Sequence, residues 1–378
     1  MFKKYSYFYT DIPYTENNEE EHFRQPLSLM RFLAVILITN SHIGPLYPPH
    51  LQFLSTGGAL GNSLFFFLLG FALYLSNRDT GFAPWAIRRF TRIYPSLWIF
   101  MTVCFLGGIQ SFRLPDIIIP TFWFLQAIFV FYVFFFYSIK FFERQLWKVC
   151  VAFIFPLLVT YFYVPIMNGL SKAPNTTTFL HWYFYYIIML FGAIAAQRRT
   201  NTESPSSIAR PLSAVLLIVT VYYSLKIYIL HSASPIYDVQ LCIPILLTLF
   251  SIYMFDFLKD SPILEQKKAA IVNYIASLTL DIYIVQFVIM DYFTRYTFPF
   301  GYFGSIAAIL LTAGILNYIS KYATSFLETA CQNLSYRLLD RQSYMDAILF
   351  LKGSILSITY LFIGIPNNNT PTTAKNTK

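Results

Sequence analysis

Charge is what this sequence lacks most. Only 12% of its 378 residues are Asp, Glu, Lys or Arg, against about 25% in a soluble domain, which excludes a water-soluble globule for the chain as a whole. Cysteine is scarce as well. Cys104, Cys150, Cys242 and Cys331 lie within or beside apolar blocks without Cys-x-x-Cys spacing, and they read as packing residues rather than disulfides or metal ligands. There is no Walker sequence, nucleophile elbow or His-Glu-x-x-His helix, so no metal is expected and the common phosphate-loop, serine-hydrolase and zinc-peptidase chemistries have no foothold. No internal repeat of the kind that marks many transporters is visible.

Apolar length is what remains. Hydrophobic residues make up 56% of the chain and aromatics 20%. They come in blocks of about 18 to 22, the length that crosses a bilayer as a helix. The blocks fall near 28–45, 59–77, 93–110, 121–140, 146–164, 179–196, 211–230, 238–258, 271–290 and 301–320. The fold class is therefore all-α: a polytopic transmembrane helical bundle of ten to eleven spans. Residues 1–27 mix Lys3 and Lys4 with Glu19, Glu20 and Glu21 and have no signal-peptide core, so they read as a cytoplasmic leader. Residues 28–320 make the membrane domain. A mixed segment, 321–345, has Phe326, Cys331, Leu334 and Leu338 at helical spacing and suits the membrane surface. Residues 346–365 form a possible eleventh span, in which Lys352 must snorkel or be paired, and 366–378 read as a disordered tail.

The net charge of +9 would suggest nucleic acid in a soluble protein. Here the cations sit between apolar blocks, so they report topology and no nucleic-acid partner is expected. With the N-terminus inside, the cytoplasmic connections hold Arg78, Arg88, Arg89, Arg92, Lys140, Arg144, Lys148, Arg198, Arg199, Arg210, Lys259, Lys267 and Lys268. The opposite side holds only Arg113, Lys172 and Arg295. That asymmetry orients the chain in a cytoplasmic membrane.

Polar groups inside such spans are costly and point to function. Arg31 and His42 are eleven residues apart in the first span, about three turns plus roughly 20°, so they share one face, about 16 Å apart along the axis. An imidazole with an ordinary pKa near 6.5 suits a general base. Asn40 and Ser41 beside it are supporting polar groups or simply back-bond to their own helix. Arg31 alone is also what topology expects at a cytoplasmic mouth. Before the third span, Arg88, Arg89 and Arg92 stand at i,i+3 and i,i+4 spacing, and converging guanidinium groups bind phosphate bidentately. Gly61 and Gly70 in the second span permit close helix approach. Trp123 opens the fourth span, where an interface anchor belongs. Asp281, Tyr283 and Gln286 lie in the ninth span, and an acid there should face the interior or a wet cavity, paired with His or Arg.

In this order the residues resemble a family. Arg31, Phe32, Leu33 and Ala34 with His42 resemble the Arg-x10-His first helix of the acyltransferase 3 family of bacterial membrane acyltransferases. Leu64 to Phe71 is similar to its Phe-Phe-x-x-Ser-Gly-Phe helix, with Leu69 in place of Ser. Arg89, Arg92 and Ile93-Tyr94-Pro95 resemble its Arg-x-x-Arg loop. Trp123 and Leu125, with Tyr132 further on, resemble its Trp-x-Leu helix. Asp281 to Gln286 is similar to its late Tyr-Leu-x-His helix, with Gln286 where many members have His. Gln hydrogen-bonds but does not titrate.

The resemblance implies an integral-membrane O-acyltransferase of the bacterial inner membrane. Its donor would be cytoplasmic acetyl-CoA, with no permanently bound cofactor. Its acceptor would be a hydroxyl of a surface polysaccharide or a lipid-linked precursor. His42 would act as general base or transient acyl carrier, Arg88, Arg89 and Arg92 would hold donor phosphates near Arg31, and Asp281 would orient or balance a cation. Trp123, Tyr283 and Gln286 would contact substrate or support the site. Two other classes fit a polar stripe in a bundle: a flippase for a lipid-linked saccharide, which has no need of the arginine loop, and a non-catalytic polysaccharide-assembly scaffold.

Overall fold

The computed structural model describes residues 18–76, 81–109, 116, 120, 122–167, 179–198, 209–231, 237–259 and 266–338. Eleven α-helices are found among them: α1 Asn18–His42, α2 Gly58–Leu75, α3 Phe82–Leu106, α4 Trp123–Phe142, α5 Leu146–Met167, α6 Phe179–Arg198, α7 Ala209–His231, α8 Tyr237–Lys259, α9 Gln266–Ser277, α10 Thr279–Phe293 and α11 Phe300–Leu338. No strand occurs among the described residues. Each of the ten expected spans coincides with a helix, the ninth with the bent pair α9–α10. By length and composition, five helical stretches among the described residues are long and apolar enough to cross a bilayer, or six when the bent pair is one span. The protein is an all-α membrane bundle.

The centre of the bundle is α2. Its side chains are buried almost continuously from Leu60 to Phe71, because α1, α6 and α8 all pack on it. Glycine makes the closest of these contacts possible. A Cβ on Gly70 would run into the Met189 carbonyl of α6, and one on Gly192 of α6 would run into the Phe67 carbonyl of α2. The two glycines thus place backbone against backbone in both directions, the small-residue contact that membrane helices favour. Gly61 does the same towards α1, where its Cβ would lie 2.7 Å from the Ala34 carbonyl oxygen. Elsewhere large apolar side chains face outward, among them Phe105, Leu216, Leu217, Phe303 and Leu311, as a lipid-facing surface requires.

The ninth expected span is broken. Helices α9 and α10 meet at Leu278 with a bend of 66°. Hydroxyl back-bonds flank the break: Ser277 Oγ donates to the Tyr274 carbonyl at 2.7 Å and Thr279 Oγ1 to the Ala276 carbonyl at 2.8 Å, contacts that compete with the helix's own ladder. At the first span, α1 stops at His42 rather than at residue 45, because Gly44 and Pro45 open a 3-10 turn.

The chain divides into residues 1–324 and 325–378. In the second unit the described residues are the closing turns of α11, which run to Leu338. The expected eleventh span and tail, together with Arg78, Arg113, Lys172 and Arg199, lie outside the described residues.

Candidate active site

Helix α1 presents one buried stripe, Leu27, Arg31, Ala34, Val35 and Ile38, that ends on His42. Arg31 is only 8% exposed. His42 is the last residue of α1 and is half-buried. Its ring meets Phe287 of α10 edge to face, with centroids 4.7 Å apart. Phe287 stacks in turn on Phe122, just before α4, at 5.9 Å.

Asn40 and Ser41 are turned elsewhere. Asn40 Nδ2 donates to the carbonyls of Leu54 at 2.8 Å and Thr56 at 3.1 Å, and its Oδ1 accepts from the Tyr47 hydroxyl at 2.8 Å. These three bonds hold the 43–57 connection over the end of α1. Ser41 Oγ back-bonds to Ile38 at 2.7 Å. The same loop is tied to α7 by Lys226 Nζ, which donates to Thr56 Oγ1 at 3.1 Å. Outside the spans, burial and the neighbouring Tyr302 hydroxyl, 3.2 Å away, push the Tyr47 hydroxyl above its ordinary pKa.

Beside the His42 stack, α1, α2, α4 and α10 leave a narrow cavity of about 10 Å³, the room one water needs. Ile38, Thr39, Phe65, Phe124, Tyr283 and Gln286 line it. Gln286 is 0% exposed, and neither its Nε2 nor its Oε1 has a hydrogen-bond partner. An unpaired buried amide costs about 1–3 kcal/mol. Tyr283 packs on Phe124 with centroids 4.6 Å apart. Trp123 points away from this space and stacks on Tyr185 of α6 at 6.1 Å.

Asp281 stands apart from His42. On α10 it is about 160° around the helix from Tyr283, and it faces α3 and α11. It is 2% exposed, and Asn317 Nδ2 donates to its Oδ2 at 2.8 Å. Ser96 and Lys321 are its other polar neighbours. The partner is thus an amide, with a Lys nearby, where the sequence suggested His or Arg. The break at Leu278 also puts Asp281 in the first turn of α10, where the helix dipole favours an anion.

The three arginines divide. Arg89 is 4% exposed; its Nη1 donates to the Trp85 carbonyl at 3.1 Å, its Nη2 to Ser76 Oγ at 2.7 Å, and its guanidinium lies 4.2 Å over the Trp85 ring. It clamps the start of α3 to the end of α2. Arg88 and Arg92 are half-buried one turn apart, on a stripe that continues to Ser96 beside Asp281.

Residues 26–325 match the acyltransferase domain that defines one family of membrane proteins. The chain belongs to the acyltransferase 3 family. The match runs from the start of the α1 stripe into α11 and so takes in every side chain of the candidate site. No curated protein and no solved structure matches the chain.

Several parts of this acyltransferase were not singled out from the sequence. Phe287 under the imidazole, Thr39 in the cavity wall, Ser76 under Arg89 and Asn317 on Asp281 all required packing to find. The bend had a readable signal, since Ser277 and Thr279 flank a single residue inside an apolar block.

Proposed function

We propose that this acyltransferase moves an acetyl group from cytoplasmic acetyl-CoA to a hydroxyl of a cell-surface polysaccharide or its lipid-linked precursor. The observation that carries the reading is the His42 imidazole. It sits half-buried at the end of a stripe that carries a buried arginine, Arg31, braced by Phe287 and bordered by a cavity with an unpaired amide.

In this reading His42 takes the proton of the acceptor hydroxyl as that oxygen bonds to the thioester carbonyl carbon. The carbon–sulfur bond then breaks, and His42 returns the proton to the departing thiolate. Atoms and charge balance with no further reagent. If His42 acts as an acyl carrier, its nitrogen bonds to the carbonyl carbon as the carbon–sulfur bond breaks and CoA leaves as its thiolate; the acceptor oxygen then bonds to that carbon as the carbon–nitrogen bond breaks, and the hydroxyl proton passes to the thiolate. Arg88 and Arg92, half-buried one turn apart on α3, would hold the CoA phosphates, with Arg31 along the path to His42 and Arg89 in the α2–α3 joint. The charge asymmetry of the connections supports a cytoplasmic N-terminus and an inner-membrane location.

The test is the purified full chain in nanodiscs, given acetyl-CoA labelled in the acetyl group and polysaccharide extracted from cells that lack the protein. Label should pass to the polysaccharide and should not with His42→Ala. Translocation of a lipid-linked saccharide without label transfer would favour a flippase. Label trapped on the unsubstituted protein after an acid quench, and lost in His42→Ala, would select the carrier route.

A further inference from the structure

Gln286 and the cavity beside it take part in no step of the transfer described above. The amide is wholly buried, both its polar atoms lack partners, and it lines a space otherwise walled mainly by aliphatic and aromatic side chains. Buried amides in folded proteins are almost always paired, so this one calls for a bound polar atom. The place is specific. Ile38 and Thr39 of the wall precede His42 by four and three residues, so the imidazole lies about 5 Å further along α1. Phe287, which braces His42, follows Gln286 directly.

The far wall is fixed. The Phe65 ring is packed against Phe66 with centroids 5.8 Å apart and against Phe124 at 4.8 Å. Phe124 is in turn held by Phe66 at 5.1 Å and Tyr283 at 4.6 Å. Rings braced on several sides cannot retreat to admit a longer guest.

We propose that this cavity is the acyl-selecting subsite of the transfer reaction. Gln286 Nε2 donates to the carbonyl oxygen of the acyl group being moved, and the Phe65–Phe124 wall limits that group to acetyl. This rests on the reading of the protein as a CoA-dependent acyltransferase. A methyl group is of similar size to the water the cavity can hold, and each further methylene meets a braced ring. The carbonyl oxygen gains negative charge as the tetrahedral centre forms, and a fixed N–H donor stabilises that charge without reorganising. A neutral amide does this at any pH, and its Asp281 neighbour on α10 faces the other way.

The experiment measures transfer from acetyl-, propionyl- and butyryl-CoA to polysaccharide extracted from cells lacking the protein, using the full chain in nanodiscs. For the unsubstituted protein kcat/KM should fall at least ~10-fold per added methylene. Phe65→Ala should raise the butyryl-to-acetyl ratio at least ~10-fold, with Phe124→Leu as the milder variant if the first does not fold. Gln286→Leu should lower kcat about 100-fold for every donor while acetyl-CoA binding is unchanged. Equal use of butyryl-CoA by the unsubstituted protein, or full kcat in Gln286→Leu, would overturn the subsite. No transfer from any donor by the unsubstituted protein would overturn the acyltransfer reading itself, and the subsite with it.

Discussion

Two seams of the bundle meet on α2 and its neighbours, and they are built on opposite plans. Between α2 and α6 the backbones touch through Gly70 and Gly192, and a single added carbon has nowhere to go. Between α1 and α10 the contact is made by side chains, with His42 on Phe287 and a small space walled by Ile38, Thr39 and Gln286. In a bilayer no hydrophobic force drives helices together, so close packing must do the holding. At its glycines the first seam does so backbone to backbone, with the unpaired Oδ1 of Asn62 about two turns away on α2. The second tolerates a gap and an unpaired amide, a cost that stability alone does not explain. The difference sets the α2–α6 seam, which holds the bundle, apart from the α1–α10 seam, where the candidate site lies.

The widest separation between the seams should come from His42→Ala. Acetyl transfer should fall by about 10²–10⁴-fold, the usual contribution of a proton-transferring group, while the unfolding midpoint in detergent stays in place. Retained acetylation would remove the catalytic assignment from α1.

Gly192→Ala should do the reverse. Overpacking against the Phe67 carbonyl should destabilise by about 3 kcal/mol or more, read as a lowered unfolding midpoint. Gly81→Ala, whose added carbon meets nothing within 4 Å, serves as the control. Equal midpoints for the two would mean that α2 and α6 are not in backbone contact.

The arginines sharpen the comparison. Arg89→Ala should lose about 2 kcal/mol of stability by stranding its buried partners. Arg92→Ala, at a half-buried position, should lower the midpoint less than Arg89→Ala and weaken acetyl-CoA binding about 10-fold, measured by calorimetry. A reversed pattern would exchange their roles.

The smallest effect belongs to Asn317→Ala. It removes one hydrogen bond to Asp281, worth about 1 kcal/mol. Transfer measured at saturating donor should be unchanged, because Asp281 faces away from the His42 stack. A large loss of kcat would bring Asp281 back into the chemistry.

Much of the fold was legible in one dimension because hydropathy over about 20 residues and a 3.6-residue period are local properties. They locate the helices, the Arg31–His42 stripe and the glycines of α2. The order of the motifs along the chain carries the family as well. The candidate site was legible only in its ingredients. Arg88, Arg89 and Arg92 look equivalent in the sequence. Yet Arg89 is consumed by Ser76, thirteen residues earlier, and by the backbone of its own helix. Asn40 looks like a companion of His42 and is instead spent on the 43–57 loop. Asp281 and Gln286 share a motif but face different neighbours, because five residues on a helix turn the side chain by about 140°.

The sequence by itself determined that this chain is a membrane bundle of helices, with a cation and an imidazole on one face of the first. Those properties depend on each helix alone. Only the tertiary structure decided which buried polar groups are satisfied and which are left open, because that depends on how neighbouring helices are rotated and how closely they approach. By that criterion Arg89 and Asn40 belong to the framework. The unpaired amide of Gln286, with His42 on the Phe287 ring beside it, marks the candidate site.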